Sequence, residues 1–451
     1  MDRFHPSFSS HTALRRDCLP EVTRVAVLKN LDGICPFNYR RPDASLFWRL
    51  ELESRRPAPE NQNLAACYGC THAGSEPMND IASPTKDRML LVDTDVHHSY
   101  HDKSDLYPYL TKYNAQRFAE YGLGVDSSYA NNGGVLGRRA DVLEASKSVH
   151  TGAATRDVAG AREQLLDAYN IDIAILTGGI GPAASAIMDA DYANALCRAF
   201  NDYSMEHWIA KDSRFRYAIH INAQDPQGAV EEIERLGSHP AVCSVMLGCG
   251  SPRPFGHRQY HPIYEACVRH NLAVSLHFSN EGKGINPPPS AAGFPSYYIE
   301  GRQLRSSYYL VHVSSFIFEG VFEKFPTLRI GMLEAGFAWL APAMWKMDLD
   351  WKGLRRQTPW VKKLPSQYIK EHIRFATQPM EEPDHPDALK HLIEWIDGDK
   401  LLMFATDYPH WDWDDPTQTF AGYPEEMRRR IFSSNAIETY NLTLPPVAKV
   451  A

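Results

Sequence analysis

Several apolar runs in the sequence end in a histidine or a carboxylate, the side chains that bind metals and move protons. The first run, LLVDTDVH, ends with Asp95 and His97. Two residues apart in an extended strand, their side chains point to the same side and can bind one divalent cation together. On its own the tripeptide Asp-x-His is common, and a polar strand end facing solvent is the more frequent explanation.

Three later runs end in the same way. His277 closes LAVSLH, although an isolated histidine there is ordinarily a core residue. Glu334 follows IGML, where burial of a charge is costly unless the carboxylate meets a cation or a donor; a helix N-terminus would also stabilise it. Asp407 directly follows LLMFAT, and His410 comes three residues later.

The apolar runs alternate with helical patterns from Met89 onward, which is typical of βα units around a parallel sheet. The predicted strands are 89–96, 171–176, 216–221, 242–247, 272–278, 328–333, 373–376 and 401–405. The predicted helices include 229–236, 262–270, 304–325, 337–351 and 386–396. This order predicts a (β/α)₈ TIM barrel over residues 88–445. An open, doubly wound sheet is the alternative, but no Gly-x-Gly-x-x-Gly follows the first strand, which disfavours a dinucleotide site.

A barrel would bring the four candidate ligands together, because the carboxyl ends of its strands meet at one face. Asp95, His97, His277 and Asp407 would then form a mixed nitrogen and oxygen ligand set. Such a set suits one divalent ion, with Zn²⁺ as the leading candidate and Mn²⁺ or Fe²⁺ as alternatives. The ion would lower the pKa of a bound water or polarise a substrate oxygen.

Residues 1–87 differ from the rest of the chain. Polar, proline-containing segments such as RRPAPENQN lack periodicity, so we expect an irregular N-terminal extension. Cys67 and Cys70, followed by His72, could bind zinc or do redox chemistry, but free thiols are the favoured interpretation. The first 16 residues carry no apolar signal region; a transit segment or upstream sequence is the alternative to a cytoplasmic start.

Composition excludes several classes of protein. The net charge of −8 and the absence of a Lys/Arg-rich block argue against nucleic acid as the main partner. The sequence contains no run of 18 uncharged apolar residues, so we expect no membrane-spanning helix. Eight cysteines in 451 residues are too few for a disulfide scaffold, so we expect a soluble, cytoplasmic protein with reduced thiols.

From about residue 89 to residue 441 the sequence resembles the amidohydrolase-2 branch of the amidohydrolase superfamily, the group that contains aminocarboxymuconate-semialdehyde decarboxylase. The segments that carry the resemblance include DTDVHH, FPTLRIGMLEAGFAW, FATDYPHWDWDDP and SSNAIETYNL. The resemblance implies a metal-dependent (β/α)₈ barrel and a homodimer. It also implies metal binding by His277 and Asp407, with Asp407 handling a proton, and it places Asp95 and His97 at the family's first-strand His-x-His motif.

The sequence departs from the family's decarboxylases at one position. Those enzymes usually have an acid/base histidine at the end of strand six, where this chain has Glu334. In addition, two carboxylate ligands would cancel the charge of a divalent ion, which predicts tolerance of Mn²⁺ or Mg²⁺ beside Zn²⁺.

The leading functional hypothesis is therefore hydrolysis of a small carboxylated or aromatic substrate by metal-activated water. Asp407 would be the base, and Glu334 or His410 would serve the leaving group or fix the substrate. Non-oxidative decarboxylation of an aromatic or enol acid is the alternative, and a catalytically inactive, ligand-binding barrel is the third possibility. The predicted substrate-binding residues are Arg253 and His257, in the loop after strand four, and His220 in strand three.

Overall fold

The computed structural model describes residues 88–125, 157–410 and 412–444. Within them, eight parallel strands neighbour one another in chain order. The strands are β1 (Val92–Val96), β2 (Ile173–Leu176), β3 (Phe215–His220), β4 (Val242–Gly248), β5 (Ala273–His277), β6 (Ile330–Leu333), β7 (Ile373–Ala376) and β8 (Leu402–Met403). All are buried almost throughout, as expected for parallel strands covered on both faces.

The segment after β8 closes the sheet against β1. Thr94 N donates to Phe404 O at 3.1 Å, and Asp407 N donates to Asp95 O at 3.1 Å. These bonds continue the parallel pairing past the end of β8. The predicted (β/α)₈ TIM barrel is thereby confirmed, and the open sheet is not formed.

Helices connect the strands on the outside of the barrel. The α-helices are Lys112–Tyr121, Val158–Ala161, Gly181–Ala184, Ala190–His207, Pro226–Leu236, His261–Arg269, Tyr298–Gln303, Arg305–Phe318, Val321–Lys324, Leu340–Leu354, Pro365–His372, Pro386–Trp395, Gly398–Leu401, Glu425–Arg429 and Asn435–Tyr440. The helix predicted over 304–325 is two helices, because Gly320 turns the chain between them with a φ of 76°. No helix in the described ranges is long and apolar enough to cross a bilayer.

The lower part of the barrel lumen is filled with apolar side chains. One layer consists of Ala218, Met246, Leu333, Ala376 and Ala405. A second layer is closed from below by residues of the last helix, and it contains Val92, Ile173, Ile175, Cys243, Ala273, Met403, Ala436, Tyr440 and Leu442. Because this filling leaves little room for polar groups, the functional side chains gather at the carboxyl ends of the strands. The predicted extension, with Cys67 and Cys70, lies outside the described residues.

Candidate metal centre and active site

Four side chains from three strand ends meet at the top of the lumen. Asp95 and His97 come from the end of β1, His277 ends β5, and Asp407 follows β8. One ligand atom from each lies within 4.8 Å of the others. Three of the four residues are buried, and the His97 side chain is 17% exposed. The structure thus brings together all four predicted ligands.

The orientation of the imidazoles fits a bound cation. His277 Nδ1 donates to Phe278 O at 2.8 Å, so in the neutral ring the lone pair is on Nε2. That Nε2 faces the Nε2 of His97 at 3.3 Å and Asp95 Oδ2 at 3.5 Å. Within the described residues, the buried Asp407 Oδ2 has no hydrogen-bond partner. Lone pairs and carboxylate oxygens that converge in this way are the donor set of a divalent cation.

The charges of the cluster lead to the same conclusion. Burial opposes the charged form of His277, but Asp95 and then Glu334 outweigh it and raise its pKa to about 9. Burial also favours a neutral Asp95, yet His277 and His97 lower the pKa of Asp95. Burial raises the pKa of Asp407 in spite of the nearby His410. The carboxylates therefore demand positive charge, which protons on the imidazoles or a divalent cation can supply.

Two threonines that the sequence analysis did not single out hold the carboxylates of β1 in place. Thr177, just after β2, donates its hydroxyl to Asp95 Oδ1. Thr406 donates from its hydroxyl to Asp93 Oδ2 at 2.6 Å and from its backbone N to Asp93 Oδ1 at 3.0 Å. Their position at strand ends was the only sequence signal, and it is the same signal that marked the ligands. These bonds fix the orientation of the ligand strand against its two neighbours.

Glu334 and His410 form a pair beside the ligand cluster. His410 Nδ1 lies 2.7 Å from Asp407 Oδ1 and 3.4 Å from Glu334 Oε1. Burial alone would lower the pKa of His410, but Asp407 and then Glu334 raise it well above its usual value. Burial opposes ionisation of Glu334, whereas Arg305 and then His277 hold its pKa well below the usual range. These shifts favour an ionised carboxylate beside a protonated imidazole.

His97 and Asp407 also belong to a second possible ligand group, with Glu334 and His410. The two groups are alternatives, since the Nε2 of His97 has one lone pair and can bind one cation. The first group has two imidazoles whose Nε2 atoms face each other, and it contains the buried Asp95. We therefore assign Glu334 and His410 to positions beside the ion.

The predicted substrate-binding residues lie in two places. Arg253, exposed in the loop after β4, bonds through Nη1 to His257 Nε2 at 3.2 Å. His220 ends β3 and is fully buried, and its Nδ1 accepts a bond from Gly181 N at 2.7 Å. Burial lowers the pKa of His220 to about 3, so its ring is neutral. Contact of these three residues with a substrate stays a prediction.

Known decarboxylases are similar to this chain in sequence and in fold. A gamma-resorcylate decarboxylase from Polaromonas sp. is 25% identical over 306 residues, which cover 63% of this chain and 88% of that one. The structure of a dihydroxybenzoic acid decarboxylase from Polaromonas sp., with bound manganese and the inhibitor 2-nitroresorcinol, matches with a TM-score of 0.58 and 20% identity; the match covers 80% of this chain and all of that one. A manganese complex of 5-carboxyvanillate decarboxylase from Novosphingobium aromaticivorans matches with a TM-score of 0.58 and 17% identity, covering 81% and 100% of the two chains.

The sequence profile of the amidohydrolase family matches residues 95–442. This range includes all eight strands except the first residues of β1, and all four candidate metal ligands. The resemblance drawn from the sequence motifs is thereby confirmed. The chain belongs to the amidohydrolase family and is an enzyme of the amidohydrolase superfamily.

Proposed function

We propose that the protein is a metal-dependent, non-oxidative decarboxylase of an aromatic acid. The observation that carries this proposal is the position of His410, whose Nδ1 lies 2.7 Å from Asp407 Oδ1 and 3.4 Å from Glu334 Oε1, beside the ligand cluster. Decarboxylation of an aromatic ring needs an acid that protonates carbon, whereas hydrolysis needs a base for water. The similar proteins are decarboxylases, which also favours decarboxylation. Hydrolysis was the leading hypothesis from the sequence.

The charge of the site supports an anionic substrate. The buried carboxylates Asp95, Glu334 and Asp407 would be balanced by the cation of Arg305 and a divalent metal ion. Among these groups, a proton on His410, whose side chain is 31% exposed, then leaves one positive charge at the site. Burial of an unbalanced charge is unfavourable, and a monocarboxylate would neutralise it.

In the proposed reaction His410 is the proton donor. A divalent cation held by Asp95, His97, His277 and Asp407 would supply Lewis-acid binding of the substrate carboxylate and a neighbouring hydroxyl. The Nδ1 of His410 faces Asp407 Oδ1 at 2.7 Å, so its Nε2 would carry the proton that goes to the ring carbon bearing the carboxylate. The bond from that carbon to the carboxylate then breaks, its electron pair restores the aromatic ring, and CO₂ leaves. His410 regains a proton from solvent.

Glu334 takes a different role from the strand-six histidine of the family's decarboxylases. Its carboxylate lies 3.4 Å from the Nδ1 of His410, where it favours the protonated ring. The acid is thus proposed to come from the loop after β8, while the end of β6 supplies its counter-charge.

We propose Mn²⁺ as the working metal, with Zn²⁺ and Fe²⁺ as alternatives. Two carboxylates among four ligands favour a harder ion than an all-histidine set does. Manganese is bound in both of the similar structures described above. Metal analysis of protein purified without chelators, followed by reloading with each ion, tests this choice.

A homodimer is also proposed. Trp345 and Trp395, which are each 56% exposed, lie with ring centroids 5.7 Å apart, and Leu349 beside Trp345 on the same helix is 66% exposed. Apolar side chains grouped in this way on the surface are typical of an interface. Light scattering of the purified protein measures the number of chains directly.

The test of the reaction is a substrate panel with the Mn²⁺-loaded enzyme. Ortho-hydroxylated benzoic acids, lactones and amides are incubated with the protein, and both CO₂ and hydrolysis products are measured. We expect CO₂ from a hydroxybenzoic acid and, in D₂O, one deuterium on the ring carbon that loses the carboxylate. Hydrolysis of a lactone or amide without release of CO₂ would contradict the proposal.

A further inference from the structure

Arg305 is a buried cation at the catalytic end of the barrel. It is the first residue of the helix Arg305–Phe318, and its side chain is 10% exposed. The guanidinium lies 4.4 Å above the ring of Phe278, the residue that follows the candidate ligand His277. Its Nη1 lies 3.4 Å from Glu334 Oε2. Arg305 therefore contacts the ends of both β5 and β6.

The two oxygens of Glu334 face different cations. Oε2 faces Arg305, and Oε1 faces the Nδ1 of His410, each at 3.4 Å. Contacts with a cationic group on each oxygen restrict the rotation of the carboxylate, so the contact with Arg305 influences where Oε1 lies. The chain of contacts runs from Arg305 through Glu334 to His410.

Two arginines within the barrel strands are used differently. Arg216 in β3 donates to the backbone oxygens of Ser213 and Phe215, and Arg374 in β7 donates to those of Lys370 and Ile373. These two arginines serve backbone groups near the amino ends of their strands. Arg305 instead faces a side chain beside the ligand cluster, at the opposite end of the strands.

We propose that Arg305 is a positioning residue, which holds the carboxylate of Glu334 in the orientation that fixes the imidazole of His410. This inference rests on the proposed function for its link to catalysis. Loss of the guanidinium frees the rotation of Glu334, and a misplaced proton donor lowers the rate of the chemical step more than it lowers substrate binding.

A double-mutant cycle tests the proposal in the metal-loaded enzyme. Arg305→Met is expected to lower kcat by about 10- to 100-fold with a smaller change in KM. Arg305→Lys retains a cation and should keep more activity than Arg305→Met. In a Glu334→Gln background, Arg305→Met should lower kcat by less than about 3-fold, because the group through which Arg305 acts has already been changed. Equal losses in both backgrounds would overturn the proposal.

A control for lost stability is Arg235→Met. Arg235 bonds to Glu232 and Asp202 at 2.6 Å each on outer helices, so its loss removes ion pairs that include neither the proposed ligands nor Glu334 or His410. We expect this variant to keep its kcat. If it loses as much activity as Arg305→Met, the effect of Arg305 is one of general stability and the proposal is wrong.

A measurement without turnover separates this inference from the proposed reaction. The side-chain nitrogens of His410 are observed by NMR in Mg²⁺-loaded, ¹⁵N-histidine-labelled protein and are assigned with His410→Asn. Arg305→Met and Glu334→Gln should each shift the Nδ1 signal, and the double variant should shift it no further than Glu334→Gln alone. An unmoved Nδ1 signal in Arg305→Met would refute the positioning role even if decarboxylation is found. The expected shifts would support that role even if no aromatic acid is a substrate.

Discussion

Glu334 and Asp407 have backbone conformations that are unusual for residues with side chains. Their φ angles are 53° and 59°, in the left-handed region that costs a non-glycine residue about 1 kcal/mol or more. Each directly follows a strand or its continuation, and the sharp turn directs the carboxylate over the lumen. The hydrogen bond from Asp407 N to Asp95 O holds one of these turns. The strained backbone at these two residues thus places two buried carboxylates at the candidate site.

The role of His410 leads to the first prediction. His410→Gln removes the proposed proton donor but none of the four proposed ligands, so kcat should fall by at least about 100-fold while the metal content stays near that of the wild type. Steady-state kinetics and elemental analysis of the same preparation check both parts. Asp407→Asn is the contrasting variant, because it removes a ligand and should lose the metal as well. A His410→Gln enzyme with undiminished kcat would exclude His410 as the acid.

Glu281, in the loop after β5, predicts a dependence of stability on pH. Burial raises its pKa to about 7, although the backbone N of Ser279 donates to its carboxylate. The folded state therefore holds a proton that the unfolded chain releases near its ordinary pKa. This contribution to stability is fully present below about pH 4.5 and is lost as the pH rises through about 7, with a total of about 3 kcal/mol.

Glu281→Gln removes this titration. Thermal unfolding of both proteins should show the wild type losing stability relative to the variant between pH 5 and pH 8. A constant difference in Tm across that range would contradict the assignment. The comparison between the two proteins cancels groups that titrate in both.

Strand β6 and the helix Asn435–Tyr440 pack closely against each other at the bottom of the barrel. Tyr440, from the helix Asn435–Tyr440, reaches into the bottom of the lumen, where Ser275 of β5 donates to its hydroxyl at 3.3 Å. A Cβ at Gly331 of β6 would lie 2.1 Å from that hydroxyl. The absence of a side chain at Gly331 is what lets the helix close the barrel.

Gly331→Ala is therefore expected to destabilise the protein by about 1–3 kcal/mol through overpacking. Gly353→Ala is the matched control, because a Cβ there meets nothing within 4 Å in the helix Leu340–Leu354. The control should be neutral or more stable by up to about 1 kcal/mol. Denaturant unfolding measures the difference in the free energy of unfolding between the two variants. Equal values would show that the Tyr440 side chain can move aside at little cost, contrary to the prediction.

At the scale of the whole barrel, polar and apolar groups are separated along the axis. The lower layers are apolar, while carboxylates and imidazoles crowd the upper end. Like charges at that end repel one another, which destabilises the folded protein until a cation binds. The metal should therefore stabilise the entire fold.

Metal binding is expected to raise the Tm. At a free Mn²⁺ concentration of 100 times its Kd, binding to the folded state alone adds about 2.7 kcal/mol to the free energy of unfolding. Calorimetry of EDTA-treated protein with and without Mn²⁺ measures the shift. The Asp407→Asn variant should show almost none, and a shift of equal size in that variant would place the ion elsewhere.

The sequence alone predicted the strands and most residues of the candidate site. Strand β7 was predicted at its observed bounds, and the other seven within a few residues, because buried parallel strands require continuous apolar runs. The candidate ligands stood out because a charged or ionisable residue directly after such a run is costly to bury without a partner. The helix Ala190–His207 was not among the predicted elements. The break at Gly320 was missed because a single glycine inside a helical pattern is locally tolerable.

Only the tertiary structure decided which charges meet. Arg305 lies inside a stretch predicted to be one continuous helix, and nothing near it in the sequence points to Glu334. Their contact depends on the packing of that helix over the ends of β5 and β6, which is set by the barrel as a whole. The same holds for His410, whose Nδ1 lies 3.4 Å from Glu334 Oε1 although the two residues are 76 positions apart in the chain. The local sequence pattern predicts which residues form helices and strands and which are buried. Contacts between side chains far apart in the chain follow from closure of the sheet into a barrel.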